Sequence, residues 1–236
     1  MLTFDRRFMI FFPIAAVAYL LGSIPFGYIL VRIFRGEDVR KSGSGNIGAT
    51  NVARSSPVLG VLTLVLDAGK GVAAVLFALA LTNQSGDVHT ILAASPEQLA
   101  AARHLSESIV ARHFLAGSLA SLFAIVGHLF PVWLKFRGGK GVATALGSLV
   151  VIAPKSILCV LVLFALLFLI FRYVSLSSVI AVGCFPLAAW FFHEYGNTPL
   201  VLGMMTLSAA LIIWKHRANL RRLLEGTEPK FSRGRA

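Results

Sequence analysis

Between Gly127 and Thr144 the chain reads Gly-His-Leu-Phe-Pro-Val-Trp-Leu-Lys-Phe-Arg-Gly-Gly-Lys-Gly-Val-Ala-Thr, and the centre of this stretch has the makings of an anion site. Gly138, Gly139 and Gly141 surround Lys140. Glycine reaches backbone conformations closed to other residues and lets main-chain N–H groups come close to a ligand. Val142 to Ala153 then reads as a helix whose N-terminus aims free amides and the positive end of its dipole at the same point. A lysine among such amides favours an oxyanion. The pattern is not a Walker loop, which needs glycine at position 134 and Ser or Thr at 141, where this chain has Leu134 and Gly141. The plain alternative is a glycine-rich turn between membrane helices, with Lys135, Arg137 and Lys140 as basic anchors.

Three further polar clusters have the same character. They are Lys41 to Arg54, rich in Gly, Ser and Asn; Arg172-Tyr173-Val174-Ser175-Leu176-Ser177; and Lys215-His216-Arg217-Ala218-Asn219-Leu220-Arg221-Arg222. Together with His128 they offer hydroxyls, amides, guanidinium groups, lysines and imidazoles, and hardly any carboxylates. Such a set is built for anionic oxygens, and the planar fork of arginine suits phosphate. Carboxylate-pair chemistry and divalent-metal cages lack their ligands, so neither a metal nor another cofactor is expected. His89, His104 and His113 match no tight metal spacing and read as surface residues.

The elements that must carry these clusters are membrane helices. With 57 % hydrophobic and 14 % charged residues and a mean hydropathy of +0.80, the chain departs from soluble domains, which are about a quarter charged. Its net charge of +12 sits in short loops and the tail, which points to a membrane's cytoplasmic side rather than to nucleic acid. Seven apolar segments are expected: 8–34, 57–81, 115–134, 142–153, 157–171, 174–192 and 199–214. The first shows no signal-peptide cleavage site. The second carries Asp67 and Lys70, which share a helix face and can neutralise each other, while Gly69 and Gly71 permit a break there. The fourth is short, and Pro154 marks the turn after it. Residues 82–113 form the one extended polar insertion, where Ser95-Pro96-Glu97 opens a short helix to about Ser106. Lys215 to Ala236 is a basic tail of one or two amphipathic turns, and Cys159 and Cys184 read as packing residues. Counting Lys and Arg at alternate ends places the N-terminus outside and the C-terminus in the cytoplasm, against the vote of Arg6 and Arg7. All four polar clusters then share the cytoplasmic side.

The stretches Ser44-Gly-Asn-Ile-Gly-Ala-Thr-Asn51 with Arg54, Gly127 to Thr144, and His216 to Glu228 resemble the three cytoplasmic motifs of the bacterial acyl-phosphate:glycerol-3-phosphate acyltransferases. Leu66-Asp-Ala-Gly-Lys-Gly71 and Arg172-Tyr-Val-Ser-Leu176 look like further signatures of that family, and the likeness runs from Leu20 to Glu228. The resemblance implies an all-α, polytopic, single-domain enzyme of about seven transmembrane helices in the bacterial cell membrane. It implies transfer of a fatty acyl group from acyl phosphate to the 1-hydroxyl of glycerol 3-phosphate, giving lysophosphatidic acid and phosphate, with membrane lipids as surroundings. By the same resemblance Ser44, Arg54, His216 and Asn219 position glycerol 3-phosphate and the reacting centre, and Gly138, Gly139, Lys140 and Gly141 bind the acyl phosphate group. Gly45, Asn46, Asn51, Lys70, His128, Ser177 and Arg217 complete the implied substrate-binding set. Against these roles stand structural ones: a turn residue at Ser44, a hydrogen-bonded helix-end histidine at His128, a headgroup anchor at His216. The insertion at 82–113 is longer than the family's usual outer loop. A small-anion transporter is the competing class, but it calls for polar groups on both faces and often an internal repeat, and this chain has its motifs on one side.

Overall fold

The structure is a computed structural model in which residues 9–82 and 99–231 are described, and these contain helices and turns with no strand. In chain order the helices are α1 (Phe11–Ser23), α2 (Phe26–Arg35), α3 (Ala49–Ser55), α4 (Pro57–Thr82), α5 (Leu99–Leu129), α6 (Val142–Ile152), α7 (Pro154–Phe171), α8 (Val174–Phe191), α9 (Pro199–Lys215) and α10 (Arg217–Leu224). Single 3-10 turns at Val39–Lys41 and Val132–Leu134 lie in the α2–α3 and α5–α6 connections. Among the described residues five stretches are long and apolar enough to cross a membrane, and α9, followed by α10 at a 55° bend, passes the same test when the two are taken together. The short fourth segment is α6, whose 11 residues rise about 16 Å, half of a bilayer core.

The helix boundaries correct the expected ones in three places. The first apolar run is not continuous: α1 stops at Ser23, and Ile24 takes an extended backbone (ψ 115°) because a residue before proline avoids the helical region. The second run is not broken at Gly69 and Gly71, since α4 continues through both. A Cβ on Gly71 would overlap the Thr144 carbonyl and one on Gly147 the Ala68 carbonyl, so these glycines serve a close α4–α6 crossing. The third correction concerns the insertion. Its helix does not end near Ser106 but runs to Leu129, because nothing between Leu99 and Leu129 breaks a helix and Pro131 comes only afterwards. The Ser95–Pro96 start, His89 and the side chain of His104 lie outside the described residues.

Around α5 the other helices pack in a ring, with α1, α4, α6 and α9 all against it and α8 joining α7 to α9. Ile14, Ile125, Leu129, Met205 and Ile212 fill the centre. On α7, Leu158, Leu169 and Ile170 are 65 %, 74 % and 70 % exposed, a surface suited to lipid rather than water. Cys184 packs at the core's margin, but Cys159 is exposed on α7 and is not a packing residue. At the far end of α7 from Arg172, the buried Glu194 carboxylate accepts from Lys155 N (3.1 Å), Ser156 N (2.8 Å) and Ser156 Oγ (2.6 Å), which caps that helix.

Candidate active site

The loop between α2 and α3 is built on Asn51. Its Oδ1 accepts from Ser44 N at 2.8 Å, and its Nδ2 lies within 3.1 Å of the carbonyls of Val39 and Ser42 and 2.8 Å from that of Asn46. All the amide's polar atoms are occupied, and the residue is buried. Asn51 therefore shapes the loop from within and does not face a substrate, contrary to the expected binding role. Asn46 Oδ1 accepts from Gly48 N at 2.9 Å, which is turn chemistry ahead of α3. Asp38 adds a brace, pairing with Arg40 at 2.6 Å. What the loop presents outward is Ser44, Gly45 and Arg54, all exposed, and Arg54 makes no hydrogen bond or ion pair with the described residues.

The glycine stretch has a division of labour that its spelling does not reveal. Gly138 N donates to Leu129 O (3.3 Å) and Gly139 N to His128 O (3.0 Å), closing the C-terminus of α5. The amides of Gly138 and Gly139 are thus not free for an anion, contrary to the role expected of them. The free ones follow: the N–H groups of Lys140, Gly141, Val142, Ala143 and Thr144 have no acceptor among the described residues. Gly141 caps α6 with φ 86°, a left-handed value that favours glycine, and its carbonyl accepts the first helical hydrogen bond from Ala145 at 2.8 Å. A row of unpaired amides at a helix N-terminus beside a lysine is an oxyanion cradle.

The tail closes the site from the third side. His216 ends α9 and is 2 % exposed, with Nδ1 2.8 Å from the Ile212 carbonyl. A carbonyl can only accept, so Nδ1 carries the proton and Nε2 keeps its lone pair. Burial, aided by the Lys140 charge, pushes the imidazole down to about 4, so it is neutral at pH 7. Beyond it the chain folds back through α10, and Glu228 accepts from Ser175 Oγ (2.6 Å), Asn219 Nδ2 (2.7 Å) and Arg222 Nε (2.8 Å). Burial works to raise its pKa, but those three donors outweigh it and hold the carboxyl below the usual range. Phe231 N donates to Arg172 O at 2.8 Å, so the tail is fastened to the α7–α8 turn at two points.

The three walls meet at Lys140. Burial lowers its pKa to about 8, Glu228 pulls it back up, and Arg222 and Arg54 push it down. One lysine thus feels charges from the α2–α3 loop and from the tail. Ser44, Arg54, Lys140, His216 and Asn219 are brought to one end of the bundle as expected. Three expected binding residues have other partners. Ser177 Oγ donates to its own helix at Tyr173 O (2.9 Å), Arg217 lies over the Trp214 ring at 4.3 Å, and Lys70 is buried inside the bundle with Asp67 and His128. Sequence reasoning placed Ser175 and Arg222 in its polar clusters without a role for either, and missed Glu228, a carboxylate at the centre of a site read as poor in acids. Its signal was slight: a glutamate in a basic tail, whose partners only the fold-back reveals.

Residues 12–226 match the family model described as glycerol-3-phosphate acyltransferase. The glycerol-3-phosphate acyltransferase of Ehrlichia chaffeensis is 39 % identical over 94 % of this chain and 96 % of its own length. That of Syntrophotalea carbinolica is 41 % identical over 94 % and 97 %. Among solved structures, PlsY (YgiH), an integral membrane glycerol 3-phosphate acyltransferase, superposes in its glycerol 3-phosphate form with a TM-score of 0.75, at 34 % identity over 94 % of this chain and 96 % of that one. Its lysophosphatidic acid form gives a TM-score of 0.71 at 33 % identity, over 94 % and 95 %. With a match of this length and a shared fold, the chain is an integral, multi-pass membrane protein and belongs to the glycerol-3-phosphate acyltransferase family.

Proposed function

We propose that this protein transfers a fatty acyl group from acyl phosphate to the 1-hydroxyl of glycerol 3-phosphate, releasing lysophosphatidic acid and inorganic phosphate. The observation that supports the reading is that Lys140, beside a row of unpaired amides, lies within range of the Arg54 charge and itself acts on His216. The amides from Lys140 to Thr144, with the Lys140 ammonium, hold the acyl phosphate group. Arg54, which has no hydrogen-bond or ion-pair partner among the described residues, takes the phosphate of glycerol 3-phosphate, and Ser44 hydrogen-bonds at the reacting hydroxyl. His216 Nε2 accepts the hydroxyl proton as the oxygen attacks the acyl carbonyl carbon. The tetrahedral oxyanion is stabilised by the same donors, the bond from carbon to phosphate oxygen breaks, and the proton passes on to the departing phosphate. Asn219, held by Glu228, keeps the tail in place for this step. Acyl phosphate is already activated, so no covalent enzyme intermediate is required.

The motifs are assigned to the cytoplasmic side of the bacterial inner membrane, with the N-terminus outside, by the distribution of basic residues. Residues 1–236 act as one membrane acyltransferase domain, with the insertion at 82–113 on the outer face and the basic tail at 215–236 inside. The test is phosphate release by the purified protein from acyl phosphate, with and without glycerol 3-phosphate. Release only with the acceptor is expected. Acceptor-independent release, or an acyl group trapped on Ser44, overturns direct transfer. Labelling of a cysteine placed at residue 42 from outside intact cells overturns the orientation.

A further inference from the structure

Beneath the glycine loop, inside the bundle, lies a charged network that the reaction above does not use. Lys70 Nζ lies 2.8 Å from Asp67 Oδ1, 2.9 Å from His128 Nδ1 and 2.8 Å from the Ile24 carbonyl. All three side chains are buried. A charged ammonium has three protons and no lone pair; here it hydrogen-bonds the Ile24 carbonyl and His128 Nδ1 and is ion-paired with Asp67 Oδ1, which also lies 3.5 Å from His128 Nδ1. With Lys70 charged, Nδ1 of His128 is the acceptor and its other nitrogen, Nε2, carries the hydrogen. That same corner of the ring faces the glycine loop: a Cβ added to Gly139 would overlap Nε2, with Cδ2 and Cε1 each 2.9 Å away. The His128 carbonyl meanwhile accepts the Gly139 N–H at 3.0 Å. One residue thus holds Gly139 by its main chain and by its ring, and the free amides begin at the next residue.

We propose that Asp67, Lys70 and His128 are positioning residues for the phosphate-binding loop: Lys70 sets His128 as the Nε2–H tautomer and wedges that ring against Gly139, which aims the amides from Lys140 to Thr144 at the anion. This inference deepens the proposed function and rests on the glycine loop being a phosphate site. The Ile24 carbonyl, which also accepts from Phe26 N at 3.2 Å, extends the network to the α1–α2 break. The loop's setting is thereby tied to neighbouring helices as well as to its own turns, in which Leu134 N and Phe136 N donate to Pro131 O and Arg137 N to Leu134 O.

The wild-type protein in bilayers supplies the first test, through 15N spectra of its six histidines. The His128 signals are identified by their loss in His128→Asn. An Nε2–H tautomer whose Nε2 shift moves on adding inorganic phosphate is expected, and an Nδ1–H tautomer, or a shift blind to phosphate, overturns the proposal. Kinetics supply the second. His128→Asn keeps an oxygen acceptor for Lys70 but removes the wedge, and Lys70→Met removes the tether, so each is expected to raise the KM for acyl phosphate about tenfold per folded enzyme. The KM for glycerol 3-phosphate should hold. A merely structural network would reduce the amount of folded enzyme and leave both KM values alone, and that result overturns the inference. A rise in the acceptor's KM alone supports the network and overturns the assignment of the loop to the acyl donor.

Discussion

Lys70 and Lys140 carry the same ammonium into two different settings, one inside the bundle and one at its end. Lys70 meets three acceptors and is enclosed by them. Lys140 has no hydrogen-bond partner among the described residues and feels only charges at a distance, while burial has already brought its pKa down to about 8. Buried polar groups are ordinarily paired, and Lys70 follows that rule, whereas Lys140 is half-buried and unpaired among the described residues. On the proposed function the difference separates a residue that holds the molecule together from one that binds the donor. Asn51 and Arg54, three residues apart, repeat the contrast on a smaller scale.

The comparison can be broken most sharply by removing each lysine. Lys70→Met leaves Asp67 as an uncompensated buried charge and is expected to cost about 3–5 kcal/mol of stability, measured by thermal unfolding in a fixed detergent. Lys140→Ala is expected to change stability by no more than about 0.5 kcal/mol. Its cost falls on catalysis, with kcat/KM for acyl phosphate down tenfold or more, as about 1.5–3 kcal/mol for a charged hydrogen bond implies. Equal loss of stability in the two variants would erase the distinction. Arg54→Lys keeps the charge but not the fork, and the KM for glycerol 3-phosphate should rise about tenfold while unfolding is unmoved. Ser44→Ala should act on turnover instead, since a contact at the reacting hydroxyl matters most in the transition state.

The smallest expected effect is one of pH. Lys140 must be charged to attract the donor, and its pKa is lowered, so the charge is lost earlier on the alkaline side than for an ordinary lysine. For the free enzyme, kcat/KM for acyl phosphate should fall as pH rises through about 8, whereas Lys140→Arg should remain active well beyond it. A wild-type profile that stays flat to pH 10 would place the anion elsewhere.

Much of this molecule was legible before its fold. The apolar segments stand out because spanning a bilayer demands long runs, and Asp67 and Lys70 could be paired from spacing alone since three residues bring side chains to one face of a helix. The four polar clusters were drawn together by charge sidedness. What stayed hidden depends on contacts between distant segments. Nothing local says that Asn51 turns inward while Arg54 turns out, or that Gly138 and Gly139 cap α5 and leave the amide row to start at Lys140. Ser175 and Ser177 look alike in sequence, yet a helical offset sends one to Glu228 and the other to its own backbone. The glycines of α4 read as helix breakers, but they mark where another helix comes close.

The fold-back of the tail has a consequence for the order in which the protein becomes active. A chain emerges from its N-terminus, so the α2–α3 loop and the glycine loop can be in place while His216, Asn219 and Glu228 are still to be made. Glu228 must then return to Ser175, some fifty residues earlier, before the imidazole and Asn219 are fixed. On the proposed mechanism, a partly synthesised chain therefore presents hydrogen-bond donors for phosphate without the His216 base, and catalysis begins only once every membrane segment has been laid down.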